Sequence, residues 1–180
     1  MPVGPEWRLL WHGIAFKISA HFNQEWSPPS RRPKGDPLNM GNQIAVQEGL
    51  FTWPSDNPQL IGRKELSTGR IYFPAIHNYV SDEDSEEVLL STRGTLWTWT
   101  VQGFLPKNPP YRGTESVAEF EPYGVGYVEL PGEVIVETRL TTANPDELEI
   151  GMEMELVIEK FMDDEEGNEI MMFAFKPAKD

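Results

Sequence analysis
From residue 88 onward, apolar and polar residues alternate in short runs broken by turn residues, which is the two-residue period of half-buried β-strands. "VLLSTRGTLWTWTV" (88–101) predicts one long strand interrupted at Gly94, and a glycine inside a strand pattern marks a bulge or a sharp bend. Beyond the glycine, Trp97, Trp99 and Val101 share one face, and Leu96, Thr98 and Thr100 share the other. "YGVGYVEL" (123–130) predicts a second strand. Pro131-Gly132 then makes a tight turn into "EVIVETRL" (133–140), where Val134, Val136, Thr138 and Leu140 alternate with Glu133, Ile135, Glu137 and Arg139. "MEMELVIEKF" (152–161) repeats the pattern, with Met152, Met154, Leu156 and Ile158 set against Glu153, Glu155, Val157 and Glu159. "DDEEGNE" (163–169) is a turn, and "IMMFAFK" (170–176) is the last strand.

The second and third strands form one hairpin and the fourth and fifth another, while "TANPDELEIG" (142–151) leaves room for one helical turn between them. That order predicts a mainly β fold, a five-stranded OB-fold barrel spanning residues 88–180, with another small five- or six-stranded barrel as the alternative. Closing the barrel needs a first strand that bends enough to pair on both sides, the task assigned here to Gly94. The connection "QGFLPKNPPYRGTESVAEFEP" (102–122) is long for a compact domain, and such loops are usually functional or disordered. Phe104, Leu105, Tyr111 and Phe120 are too many large apolar groups for plain disorder, and Pro106, Pro109 and Pro110 stiffen the chain. The loop is expected to be ordered and to present a surface.

Upstream of the barrel, "GRIYF" (69–73) is a short strand stopped by Pro74. Residues 1–39 differ from all the rest. "SPPSRRPKGDP" (27–37) is proline-rich and basic and reads as a linker, and Met40 opens a new composition. The first 39 residues are either an arm that docks on a partner or a stretch upstream of the native start. "WRLLWHGIAF" lacks the length and cleavage site of a signal peptide.

Charge narrows the choice of partners. The net charge is −14, and residues 1–39 carry five basic against three acidic residues, so the negative charge lies in the body. A body of that sign repels phosphate backbones, so nucleic-acid binding is not expected. No run of 18 apolar residues exists, so no membrane span is expected, and a cytoplasmic location is the default. The chain has no cysteine, which rules out disulfides, thiolate zinc sites and cysteine nucleophiles.

No catalytic motif is present: there is no G-x-S-x-G, P-loop, G-x-G-x-x-G or H-E-x-x-H. His12, His21 and His77 are scattered, and His77 reads as a solvated turn residue. The acidic run Asp82–Glu87 lacks the spacing and glycine of a calcium loop, as does "DDEEGNE". Trp97 and Trp99 could stack bases, as aromatics do in some OB-folds, but barrel core or a protein interface suits an acidic chain better. Gly124 and Gly126, interleaved with Tyr123 and Tyr127, would allow close approach across the barrel.

Five stretches carry a resemblance: "PQLIGRKELSTGRIYFP" (58–74), "RGTLWTWTVQGFLPKNPPYRG" (93–113), "EPYGVGYVEL" (121–130), "LEIGMEMELV" (148–157) and "FAFKP" (173–177). Together they resemble the acyl-CoA-associated OB-fold proteins that accompany thiolases and thiolase-like aldolases in bacteria, and are similar to the partner of a lipid-transfer-protein-like aldolase in steroid side-chain degradation. The resemblance implies a zinc ribbon, here residues 40–87, ahead of the barrel. The family ribbon has a cysteine pair on each side of its Phe-Pro. Here Glu65 and Thr68 fall at the first pair, and Tyr79 and Asp82 at the second, a set that cannot make a thiolate zinc site. The ribbon is therefore expected to be metal-free and held by packing of Leu60, Ile61, Ile71, Tyr72 and Phe73.

The resemblance implies a non-catalytic accessory subunit, without cofactor, whose thiolase-fold partner supplies the reactive groups. The residues expected to meet the partner or a shared acyl-CoA are Phe104, Lys107, Tyr111, Arg112, Phe120 and Tyr123. A stand-alone acyl-CoA or lipid-binding module is the alternative. It is the weaker one because the loop offers CoA phosphates only Lys107 and Arg112. A nucleic-acid OB-fold ranks third.

Overall fold
The computed structural model describes residues 42–76, 80–107 and 116–179. Two sheets account for the body. A three-stranded antiparallel sheet is formed by β2 (Ile61–Glu65), β3 (Ile71–Tyr72) and β4 (Ser85–Leu89), in the order β3-β2-β4. The larger sheet contains β1 (Gln43–Ala45), β5 (Arg93–Gln102), β6 (Tyr123–Leu130), β7 (Val134–Leu140), β8 (Glu153–Asp163) and β9 (Glu169–Pro177).

Strands β5 to β9 close into a barrel. β5 pairs with β8 through Arg93–Thr95 and with β6 through Thr95–Gln102, so the first barrel strand does use both edges. β6 and β7 form a hairpin over the Pro131-Gly132 turn, where Gly132 has a φ of 73°. β8 and β9 form the other hairpin, and the parallel pairs Arg139↔Ala174 and Leu140↔Phe175 join β7 to β9 and complete the circuit. A single 3-10 turn, Pro145–Glu147, lies between β7 and β8, capped by the Asn144 side chain. This is the five-stranded OB-fold barrel expected from the order of elements.

The inward positions of β7 follow the predicted alternation. Val136, Thr138 and Leu140 are buried, while Ile135 is exposed. In β6 the buried set is Gly124, Gly126, Val128 and Leu130, leaving the tyrosines on the other face. A side chain at Gly124 would strike the Thr142 carbonyl, so here a backbone does approach closely. Gly126 instead faces the Leu140 and Leu96 side chains.

Three expectations fail in detail. The stretch 88–101 is two strands. The break falls at Leu90–Thr92 rather than at Gly94, and its two halves lie in different sheets. The Glu133 carboxylate fixes this crossing by accepting from the Ser91 N–H (2.9 Å) and hydroxyl (3.0 Å). Second, the register shifts between Leu96 and Thr98. A bulge at that point breaks the alternation, so Trp97 and Trp99 do not share a face: Trp97 is 56% exposed, whereas Trp99 packs against the core. Third, the strand read at 69–73 shortens to Ile71–Tyr72.

One hydrophobic cluster runs through both sheets. Leu50, Phe51, Leu60 and Leu90 are buried together with Leu96, Val128, Val136, Met154, Phe173 and Phe175. Ile71 and Phe73 pack against it, and the Phe73 ring meets Phe173 edge-on at 5.7 Å.

Candidate partner-binding surface
The turn after β2 stands where the resemblance expects a metal knuckle. The Gly69 N–H donates to the Glu65 carbonyl (2.8 Å), and Gly69 adopts a φ of 72°, a left-handed conformation that suits glycine. The Thr68 hydroxyl donates to the Glu65 carboxylate, and the Ser67 hydroxyl reaches its other oxygen at 3.2 Å. The two residues at the first cysteine positions are thus joined to each other by a hydrogen bond. Across the sheet, Asp82 takes an ion pair from Arg63, which also donates to the Ser85 hydroxyl at 3.3 Å. Tyr79 and His77 lie outside the described residues. Packing, the expected substitute for the metal, is therefore joined by a polar network. Elemental analysis of the purified protein should find no stoichiometric zinc, and a chelator should leave Tm unchanged. About one zinc per chain would overturn this reading.

The outer face of the barrel is the second feature. The Trp97 and Tyr127 rings meet edge-on with centroids 6.3 Å apart. Tyr127 donates its phenolic hydrogen to Glu137 at 3.2 Å. Burial first, then the charge of Glu137 and its hydrogen bond, hold the phenol above its ordinary range. Further along the same strands, the Arg139 guanidinium stacks on the Tyr123 ring at 4.1 Å. Arg139, Glu159, Lys160, Phe161 and Met172 line a shallow cleft of about 140 Å³. Lys160 is already engaged by Asp163 (2.8 Å) and Glu169 (3.3 Å). The cleft is smaller than the roughly 300–1,000 Å³ of pockets that take drug-sized ligands.

Of the residues expected to meet a partner, Tyr123 opens β6 and is half-buried under Arg139. Phe104, Lys107 and Phe120 belong to residues 104–120, which fall outside the unit that holds both sheets. Phe104 is 73% exposed. The end of this segment is organised locally. Ser116 donates to Glu119 through its N–H (3.0 Å) and hydroxyl (2.7 Å), which holds the Glu119 carboxyl below its usual range. Tyr111 and Arg112 lie outside the described residues. Sequence reasoning left Trp97 open between core and interface and set it on one face with Trp99, because the bulge that separates them carries no glycine to announce it.

Among the described residues no helix is long and apolar enough to cross a membrane, and no three His, Asp or Glu side chains are grouped to hold a metal ion. Residues 87–159, covering most of the barrel, match the family described as the ChsH2 C-terminal OB-fold domain. A solved structure of an Ltp2-ChsH2(DUF35) aldolase aligns with 66% of this chain and 84% of its own, at 22% identity and a TM-score of 0.44. A DUF35 domain-containing scaffold protein of Pyrococcus furiosus is 31% identical over 122 residues, covering 66% of this chain and 83% of the relative. Another from Methanothermobacter thermautotrophicus is 31% identical over 141 residues, covering 73% of this chain and 98% of the relative. With two such relatives matched over most of their length, the chain belongs to the family of DUF35 domain-containing scaffold proteins.

Proposed function
We propose that this chain is a non-catalytic accessory subunit that binds a thiolase-fold enzyme, either a thiolase or a lipid-transfer-protein-like aldolase, and supports its acyl-CoA chemistry in the cytoplasm. The observation that carries the reading is kinship, over most of their length, with proteins named scaffolds. Residues 40–87 serve as a degenerate ribbon and 88–180 as the OB-fold part, with 1–39 as an extension, except that β4 carries the ribbon sheet on to Leu89 and β1 lends one strand to the barrel sheet. The partner supplies the groups that act on substrate, whose acyl chain is a lipid or steroid side chain.

Phe104, Tyr111 and Phe120 are the apolar anchors of the loop, with Tyr123 at its base, while Lys107 and Arg112 meet an anion on the partner or on its bound CoA. Buried aromatic anchors carry most of the energy of an interface, and the loop prolines lower the ordering cost of docking. Calorimetric titration with a purified thiolase-fold enzyme from the same organism tests the reading. Tyr111→Ala or Phe104→Ala should weaken association by roughly 1–3 kcal/mol with Tm unchanged, and the isolated chain should turn over no acyl-CoA thioester. Variants that bind like the parent, or turnover that scales with this chain alone, would refute it.

A further inference from the structure
The exposed apolar groups of the barrel are not scattered. Trp97 on β5 and Tyr127 on β6 touch, and Ile135 on β7 stands opposite Glu129 on the same outward face as Tyr127. The Gly151 N–H donates to the Leu96 carbonyl at 2.8 Å, which brings the neighbouring Ile150, 63% exposed, beside the Trp97 bulge. Trp97 is 56% exposed and Ile135 43% exposed. An indole left this open buries less than half of its surface in the fold, so a partner that covered it would gain the rest.

The charge around this patch is mostly negative: the base on the strand of Trp97, Arg93, is paired with Glu153 at 3.8 Å. Between Val117 and Glu159 the sequence holds eleven acidic residues and one base, Arg139. Arg139 is turned onto the Tyr123 and Phe161 rings, at 4.1 and 5.8 Å. Glu129 and Glu137 sit on the strands between Tyr127 and Ile135, and Glu149 adjoins Ile150. A second copy of this chain would bring the same carboxylates against these, which is repulsive, and a nucleic acid would add phosphates to them. A protein with an apolar centre and a lysine- or arginine-rich rim is the complementary occupant.

We propose that the outer barrel face formed by Trp97, Tyr127, Ile135 and Ile150, with Glu129, Glu137 and Glu149 around it, is a docking surface for a basic-rimmed protein partner. It is distinct in sequence from the 104–120 segment. The partner is the thiolase-fold enzyme of the preceding reading, on which this proposal rests. Trp97 is the anchor, and the carboxylates set orientation and association rate.

The full-length chain is titrated at low and high salt against the same purified thiolase-fold enzyme. Trp97→Ala should weaken binding at least tenfold, and Glu129→Lys with Glu149→Lys should weaken it at least tenfold at low salt and far less at high salt. Tm should not move for either, because all three side chains lie outside the core. The charge variant keeps the test open should the tryptophan variant fail to fold. If the parent binds and both variants bind as it does, this surface is wrong while the enzyme-partner reading stands. If the parent does not bind at all, that reading falls and this proposal with it. A salt-insensitive dimer of this chain that needs Trp97 would equally overturn the proposal.

Discussion

Phe173→Ala should cost about 3–5 kcal/mol of stability, the range for deleting a buried aromatic side chain. The expected loss is a large share of the roughly 5–15 kcal/mol by which a domain is stable. Phe173 lies on β9, is 2% exposed, and meets Phe51 and Phe73 edge-on at 6.4 and 5.7 Å. Phe51 in turn meets Trp53 at 6.5 Å. These aromatics come from the segment before β2 and from the end of β3, so the Phe173 ring is where the three-stranded sheet and the barrel share their core. Each edge-on pair adds about 0.5–1.5 kcal/mol beyond area burial, and Alanine removes two of them at once. Both sheets should therefore melt in one transition, at a lower denaturant midpoint, with tryptophan fluorescence and far-UV signals coincident. A loss below about 1 kcal/mol, or separate melting of the small sheet, would show that the two sheets do not depend on each other through this ring.

How much of this was legible depends on which physical signal each element carries. β6, β7 and β8 bury one face and wet the other, so their two-residue period was readable and their inward residues followed from it. β9 was readable for a different reason. Met171, Met172, Phe173, Ala174 and Phe175 are all buried, so its unbroken apolar run reports a strand covered on both sides. The small sheet was mostly silent. "IGRKE" and "SEEVL" pair through their backbones and carry the Lys64–Glu86 ion pair (3.8 Å), leaving no apolar period to detect. β1 has three residues and exists because β9 offers it an edge, a tertiary cause that no local pattern encodes.

The candidate partner surface divides in the same way. The apolar loop residues stood out because a proline-stiffened connection has no core to bury them in. The outward turn of Trp97 was invisible, because alternation assigned it to the face of Trp99 and only the register shift separates them. Likewise the missing cysteines were plain in the sequence, but the hydrogen bond that joins Glu65 to Thr68 is a matter of turn geometry. The turn is held by a side-chain acceptor and two hydroxyl donors.

Gly94→Ala should cost about 3 kcal/mol, near the top of the range for overpacking a core, for a reason that differs from the bend first assigned to this glycine. Gly94 sits inside β5, paired with Met154, on the stretch where β5 runs between β8 and β6. A methyl group there would stand 2.5 Å from the Glu129 carbonyl oxygen, 2.8 Å from Val128 Cγ1 and 2.9 Å from Leu130 Cδ2. The two side chains can yield a little, but the carbonyl is backbone. Glu129 is paired with Thr95 on one side and Ile135 on the other, so moving it strains two ladders. The barrel must therefore open where β5 passes from one neighbour to the other. Gly103→Ala is the control, since nothing lies within 4 Å of a methyl group there, and it should leave stability within about 0.5 kcal/mol of the parent. Denaturant titration of both variants decides the matter. Equal stabilities would mean that the β5–β6 contact relaxes freely, and that Gly94 is not what lets the first barrel strand pair on both edges.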